Sequence, residues 1–397
     1  MLNVANEFSV YWGFQFDTKK SKIMPVGRKI NPNASWKLGH LNLTETKVYK
    51  YLGVIISNNL SDTAHFKELL RPKAKKISLY INTTLNKHSN IQRFKFGDTL
   101  HNNVFIPAIL HGCGILTFES KSKCNDMNSF QYNTGRSVFN LNMKPAREAV
   151  IGDLGWRPIL NTIDKRIIDY YLHLQKRMEK STLFRNIFME MFKRFEDNKI
   201  SSWPYIKSIS DTLIKHGLDS CLKSTDQTWY KSFLEISNEM KNTDFFGAID
   251  KRTSLKTYTV LKKHTFKENY LQDDIDFYCS RLKFMARTGC FNLEEDNKRW
   301  KKSDGICPHC KSNDIEDLIH RFIVCPKFIN ERLQFINDIT SKCDALLVAE
   351  FISLSPEEKL KYMLGDDVFE IWGKEQGRMF DKCFKRFLKS VYIKYSK

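Results

Sequence analysis

Cys307-Pro308-His309-Cys310, followed by His320 and Cys325, is the stretch around which the C-terminal part of this chain must fold. The pattern is C-x2-C-x9-H-x4-C. Three thiolates and one imidazole at these gaps can close a tetrahedron around a single structural Zn²⁺, with the first pair on a tight turn. His320 and Cys325 lie just over one helical turn apart, within reach of one ion. Leu318, Ile319, Phe322, Ile323 and Val324 would supply an apolar floor. His309 is the weaker histidine candidate because it sits inside the Cys-x-x-Cys turn. The competing reading is a set of ordinary buried cysteines, but Cys/His patterns with ligand spacing are far more specific than single cysteines.

The 397 residues are enough for two or three domains with real cores. An apolar fraction of 42% and 29 Phe argue for a folded chain and against disorder. No segment is long and clean enough to span a bilayer; the best, Val104 to Phe118, is short and carries Pro107 and His111. No membrane partner is expected. The opening Met1-Leu2-Asn3-Val4 has no basic n-region or cleavage site, so an intracellular setting, nucleus or cytoplasm, is expected. The other cysteines (Cys113, Cys124, Cys221, Cys279, Cys290, Cys343, Cys383) are scattered and read as free thiols. The net charge of +19, from 64 Lys/Arg against 45 Asp/Glu, makes RNA or DNA the default partner, with a merely solvated basic surface as the alternative.

The pattern predicts a mainly α protein with a small N-terminal α/β piece. Residues 1–62 hold a short helix ending near Gly13, a strand at Lys22 to Val26, strands at Trp36 to Leu43 and Val48 to Ile56, and a loop over Gly27 to Ala34. Residues 63–196 read as a helical domain. Phe66, Leu69, Leu70, Ile77, Tyr80, Ile81 and Leu85 follow helical spacing, with Pro72 kinking or dividing the helix and Arg71, Lys73, Lys75 and Lys76 on its other side. Helices follow at Ile91 to His111, Met127 to Leu141, Thr162 to Met178 and around Phe184 to Phe195. Residues 197–254 read as linker and helical connector. Residues 255–397 read as a helical domain built around the Cys/His loop, with helices near 328–343 and 356–364. The last helix has the clearest stripe, Phe380, Cys383, Phe384, Phe387, Leu388, Val391 and Tyr395. Lys382, Lys385, Arg386, Lys389 and Lys394 cover its other side, either facing phosphates or lining an ordinary amphipathic surface.

Several segments taken together resemble a known family. Lys20-Ser21-Lys22-Ile23-Met24 and then Tyr49-Lys50-Tyr51-Leu52-Gly53-Val54 resemble the region just after the catalytic strand of reverse transcriptases from non-LTR (LINE-type) retrotransposons. Pro107-Ala108-Ile109-Leu110-His111-Gly112 and Asp153-Leu154-Gly155-Trp156-Arg157-Pro158 resemble landmarks of that family's thumb and the region after it. Tyr270-Leu271, Arg287-Thr288-Gly289, Trp300 and the Cys/His cluster resemble its C-terminal zinc-knuckle region. The resemblance covers nearly the whole chain. It implies, in order, a palm end, a primer grip, a helical thumb and a knuckle, with Tyr51, Leu52 and Gly53 as primer-grip positions.

The departure is as informative. Such polymerases place paired aspartates on a strand, with a third upstream, to hold two Mg²⁺ ions. Those motifs belong before the segment that opens this sequence, and none is visible in it. Gly365-Asp366-Asp367 and Asp273-Asp274 lack the strand context and read as surface carboxylates. No Gly-x-Ser-x-Gly, phosphate loop or His-Glu-x-x-His occurs. The expectation is therefore a nucleic-acid-binding fragment of an RNA-directed DNA polymerase, inactive by itself. Its contacts would come from Arg71, Lys73, Lys75 and Lys76, from Lys20 and Lys22, and from the knuckle. Two alternatives stand beside it. One is half of a split reverse transcriptase, completed by a fingers–palm chain and only then using Mg²⁺. The other is a host zinc-knuckle module for protein–protein contacts.

Overall fold

All strands among the described residues fall within 22–57, where β-branched and aromatic residues alternate with polar ones. The computed structural model describes every residue except 18, 27–34, 89–90, 116–120, 198–203, 225, 273–275, 300–301 and 396–397. The loop expected over 27–34, the polar stretch at 198–202, Asp273-Asp274 and Trp300 thus lie outside the described residues. Elsewhere the chain is mainly helical. It folds into two compact units, one of residues 1–77, 105–127 and 163–227, the other of 78–104, 128–162 and 228–397. The 63–196 stretch contributes to both, and 255–397 belongs wholly to the second.

In the first unit, β1 (Lys22–Ile23) pairs in parallel with β3 (Leu41–Glu45), which pairs antiparallel with β2 (Trp36–Leu38). A separate hairpin joins β4 (Val48–Tyr51) to β5 (Val54–Ser57), in register from Val48–Ser57 to Tyr51–Val54. None of these strands carries an aspartate. The turn between β4 and β5 needs left-handed backbone at both central residues, Leu52 (φ 46°) and Gly53 (φ 82°). The chain then enters a π-helical turn, His65–Leu70, before the α-helix Arg71–Lys87. Pro72 lies where the π turn passes into the α-helix, and the helix changes type there and does not break. Phe66, Leu70, Ile81 and Leu85 are buried as their spacing predicts. Tyr80 is not; it is 57% exposed, at the edge of the apolar stripe. Ile167, Ile168, Tyr171, Phe188 and Phe192 join Ile206, Ile209 and Leu213 in the first unit's core.

The stretch expected to be linker and connector contains the helices Pro204–Lys215 and Trp229–Asp250. The second unit ends on the helix Gly373–Tyr395, whose Phe380, Cys383, Phe384, Phe387, Leu388 and Val391 are all buried. They pack against Phe335 and Phe351 from the helices Ile329–Lys342 and Ala345–Ser353. The Ala345–Ser353 helix is not among those the sequence pattern predicts, although Asp344 caps it by accepting from the amides of Leu346 and Leu347. The Pro356–Leu364 helix begins with a full capping box between Ser355 and Glu358. The basic side of the last helix is largely engaged by protein. Lys385 is buried and bonds Asp381 and the Tyr270 carbonyl, Lys389 faces Asp276 and Lys394 pairs with Glu331.

Candidate metal centre and its surroundings

The four residues singled out by their spacing come together. One donor atom from each of Cys307, Cys310, His320 and Cys325 lies within 4.8 Å of all the others, a buried group able to hold a metal ion. Cys307 Sγ is 3.9 Å from Cys325 Sγ, and Cys310 Sγ is 3.3 Å from His320 Nε2.

Local backbone explains the convergence. Ile306 and Ile315 form an antiparallel bridge, reinforced by Cys307 N–H donating to Asp314 O and Glu316 N–H to Gly305 O. Gly305 (φ 88°) and Asn313 (φ 57°) take the left-handed conformations this tight loop demands. On the other side, His320–Val324 is a π turn closed by Cys325 N–H on the His320 carbonyl at 2.7 Å. Five residues along an α-helix would leave two side chains about 140° apart. The wider π turn lets His320 and Cys325 face one point, and such turns recur at functional sites.

The surroundings orient the donors. Asp314 Oδ2 lies 3.7 Å from His320 Nδ1, which leaves Nε2 for the cluster. The Asp317 carboxylate accepts from the His320 amide, and Arg332 donates to the Cys325 carbonyl. Glu316 and Arg321 form a buried ion pair behind Cys307, and Arg321 stacks 3.7 Å from the Tyr395 ring centroid. Burial pushes the Cys307 thiol up to about 12, whereas the Ser312 hydroxyl holds Cys310 down to about 7. His309 packs its ring on Tyr395 and is not among the grouped donors. Of the expected floor, Leu318 and Phe322 are buried; Val324 is instead 49% exposed, because the π turn rotates it outward.

The remaining landmarks pair with one another. Asp153 accepts from Tyr270 Oη at 2.6 Å, from Tyr258 Oη at 2.9 Å and from Arg287 Nε at 3.1 Å. Arg287 also meets Glu268 at 2.9 Å, and Glu268 meets Lys262 at 2.5 Å. All of these side chains are buried. Burial raises the pKa of Tyr258 and Tyr270 well above the usual phenol value, so both remain donors. The flanking residues serve the same core. Gly155 (φ 65°) ends the Arg147–Leu154 helix where a Cβ would collide with the backbone of Lys267. Trp156 donates to Asp98 and stacks on His101 at 3.6 Å. In the first unit, the Leu52 carbonyl lies 3.0 Å from His111 Nε2, and a Cβ on Gly53 would sit 3.1 Å from that same atom.

Linear spacing does not reveal this buried ionic network. The available signal is Lys283 and Arg287, one turn apart and set between Leu282, Phe284, Met285 and Ala286 in the Phe277–Arg287 helix, which also carries Arg281. Charges inside such a run call for buried counter-ions. Asp366 and Asp367, expected at the surface, belong to these surroundings too and are buried. Asp366 accepts from Asn269 Nδ2 at 2.8 Å and from His264, while Asp367 pairs with Lys263. His264, Glu268 and Asp366 also bring donor atoms together. Glu268, however, is already committed to Arg287 and Lys262, so the trio reads as a charge-satisfied core.

The basic candidates are placed unevenly. Lys75 and Lys76 are exposed and make no ion pair among the described residues. Lys73 is half-buried, and Arg71 lies 3.5 Å from Asp126. Lys20 lies 3.6 Å from Asp17, and Lys22 bonds Thr44. Tyr51 and Leu52 are 58% and 78% exposed at the hairpin tip. No protein-family model matches the sequence, and no curated protein or solved structure matches it significantly.

Proposed function

We propose that this chain binds nucleic acid through phosphate contacts from the Arg71–Lys87 helix, with a Zn²⁺-pinned loop as a structural element of its C-terminal part. In this reading it acts as the thumb and knuckle portion of a non-LTR-type reverse transcriptase. The observation that carries the proposal is the pair Lys75 and Lys76, exposed and without carboxylate partners among the described residues, in a chain of net charge +19. A lysine already neutralised by a neighbouring acid has little left to give a phosphate, and a free one releases counterions when it binds. Arg71 and Lys20, beside Asp126 and Asp17, are therefore secondary contributors, and Lys22 spends a donor on the Thr44 hydroxyl. The exposed Tyr51-Leu52 tip offers an apolar surface for a sugar or base beside the backbone.

Zinc is the metal that best fits the donor set. Three sulfurs and one imidazole suit a tetrahedral ion, and the four protein donors leave no open position for a substrate, as in structural sites. The thiols that burial holds protonated would lose their protons on binding it.

The test is fluorescence anisotropy with a labelled RNA, a DNA duplex and an RNA–DNA hybrid across a range of salt. Affinity should fall steeply with salt. The double change Lys75→Ala with Lys76→Ala should weaken binding to all three and reduce the log–log salt slope by about 2. A salt-independent affinity, or a double variant with the original slope, would reject the proposal.

A further inference from the structure

Beside the metal loop, the helices Ile329–Lys342, Ala345–Ser353 and Pro356–Leu364 enclose a groove of about 240 Å³ that no described residue fills. Its wall along the first helix is Ile329, Leu333 and Ile336, at positions i, i+4 and i+7, and Ile352 faces it from the second. Three of these are far from buried: Ile329 is 52%, Leu333 58% and Ile352 48% exposed. Single exposed aliphatics are ordinary, but a clustered row of them along a groove marks a contact surface.

The polar lining is one-sided. Among the described residues, Arg332 and Lys359 line the groove and no carboxylate does. Neither makes an ion pair among the described residues; Arg332 spends one N–H on the Cys325 carbonyl. An occupant must therefore bring apolar side chains for the wall and negative charge for the rim. A nucleic acid has the charge but no aliphatic side chains. A second copy of this chain carries the same +19 and would be repelled. A helix with apolar residues at i, i+3, i+4 and i+7 and acids flanking them satisfies both demands. We propose that this groove docks an acidic, amphipathic helical segment of a protein partner. The partner would sit against the helix whose Arg332 holds the Cys325 carbonyl.

The test uses the full-length, zinc-loaded protein at physiological ionic strength. The probe is a fluorescent designed helix of about sixteen residues, long enough to hold helical structure, with Leu at i, i+3, i+4 and i+7 and Glu on the flanks. Two controls accompany it: the same composition scrambled, and a version with Lys in place of each Glu. The acidic helix should bind more tightly than both controls. Leu333→Asp should weaken it about tenfold, the scale of losing one buried anchor, and Lys359→Glu should weaken it less. Neither change should alter zinc content or oligonucleotide affinity, because Leu333 is exposed in the free protein. Equal binding of the helix and its scramble overturns the proposal, as does a Leu333→Asp variant that binds like the parent. Loss of oligonucleotide binding on Leu333→Asp also overturns it, by giving the groove to nucleic acid.

Discussion

Two buried polar centres of the second unit are built on opposite plans. The Cys/His cluster draws its donors from nineteen consecutive residues, 307–325, and its geometry follows from one bridge and one π turn. The network around Asp153 draws Tyr258, Lys262, Glu268, Tyr270 and Arg287 from more than a hundred positions away, and no local turn positions it. A centre of the first kind can be read from spacing and disturbed locally. A centre of the second kind is a product of the whole core, and disturbing it should disturb the whole core.

The largest effect expected from that contrast is at Arg287. Arg287→Met leaves Asp153 buried without a cation, while Glu268 keeps Lys262, and should cost about 3–5 kcal/mol, lowering the urea midpoint of the second unit. Adding Asp153→Leu should make the combined loss less than the sum of the two single losses, because it removes the stranded charge even though it takes the acceptor from the Tyr258 and Tyr270 hydroxyls. Strictly additive losses would mean that the pair is not the coupled unit described here.

His101, stacked on Trp156, belongs to the dispersed plan as well. Burial lowers its pKa from the usual 6.5 to about 4. As pH falls through 6.5 the unfolded chain takes up this proton, while the folded chain resists until about 4. Stability is therefore fully present above 6.5 and is lost progressively below it, by on the order of 3 kcal/mol. A histidine resonance still neutral at pH 5, with a lowered urea midpoint, would fit. A titration near 6.5 would show that His101 is not enclosed.

Chelation should have a smaller reach. Amide exchange should accelerate over 305–325, while the Phe277–Arg287 helix stays protected. Collapse of that helix on chelation would erase the contrast between the two centres. The smallest effect is expected at Gly53. Gly53→Ala forces a side chain into left-handed backbone against His111 and should cost about 1 kcal/mol in the first unit.

The same contrast explains what was legible in advance. The Cys/His donors and the last helix are each encoded within a few turns of chain, by ligand spacing and a helical stripe. The stretches Trp36 to Leu43 and Val48 to Ile56, expected as single strands, instead fold back on themselves as hairpins at Gly39 and Gly53, where the backbone is left-handed. Asp153, Tyr270 and Arg287 stood out as familiar landmarks, but nothing in a linear reading says that they meet. Asp366 was read as exposed for the same reason, since its partners His264 and Asn269 lie about a hundred residues upstream. The basic residues show the converse. Arg71, Lys73, Lys75 and Lys76 look equivalent as a run of basic residues, yet Asp126 engages the first and half-burial sets the second apart.

The central claim is that the Cys/His spacing encodes a metal centre, and metal analysis of the purified chain tests it most directly. The account predicts one zinc per polypeptide, lost in Cys325→Ser and retained in Arg287→Met as long as the chain stays folded. A folded, full-length protein containing no zinc, and binding none when it is supplied, would contradict it.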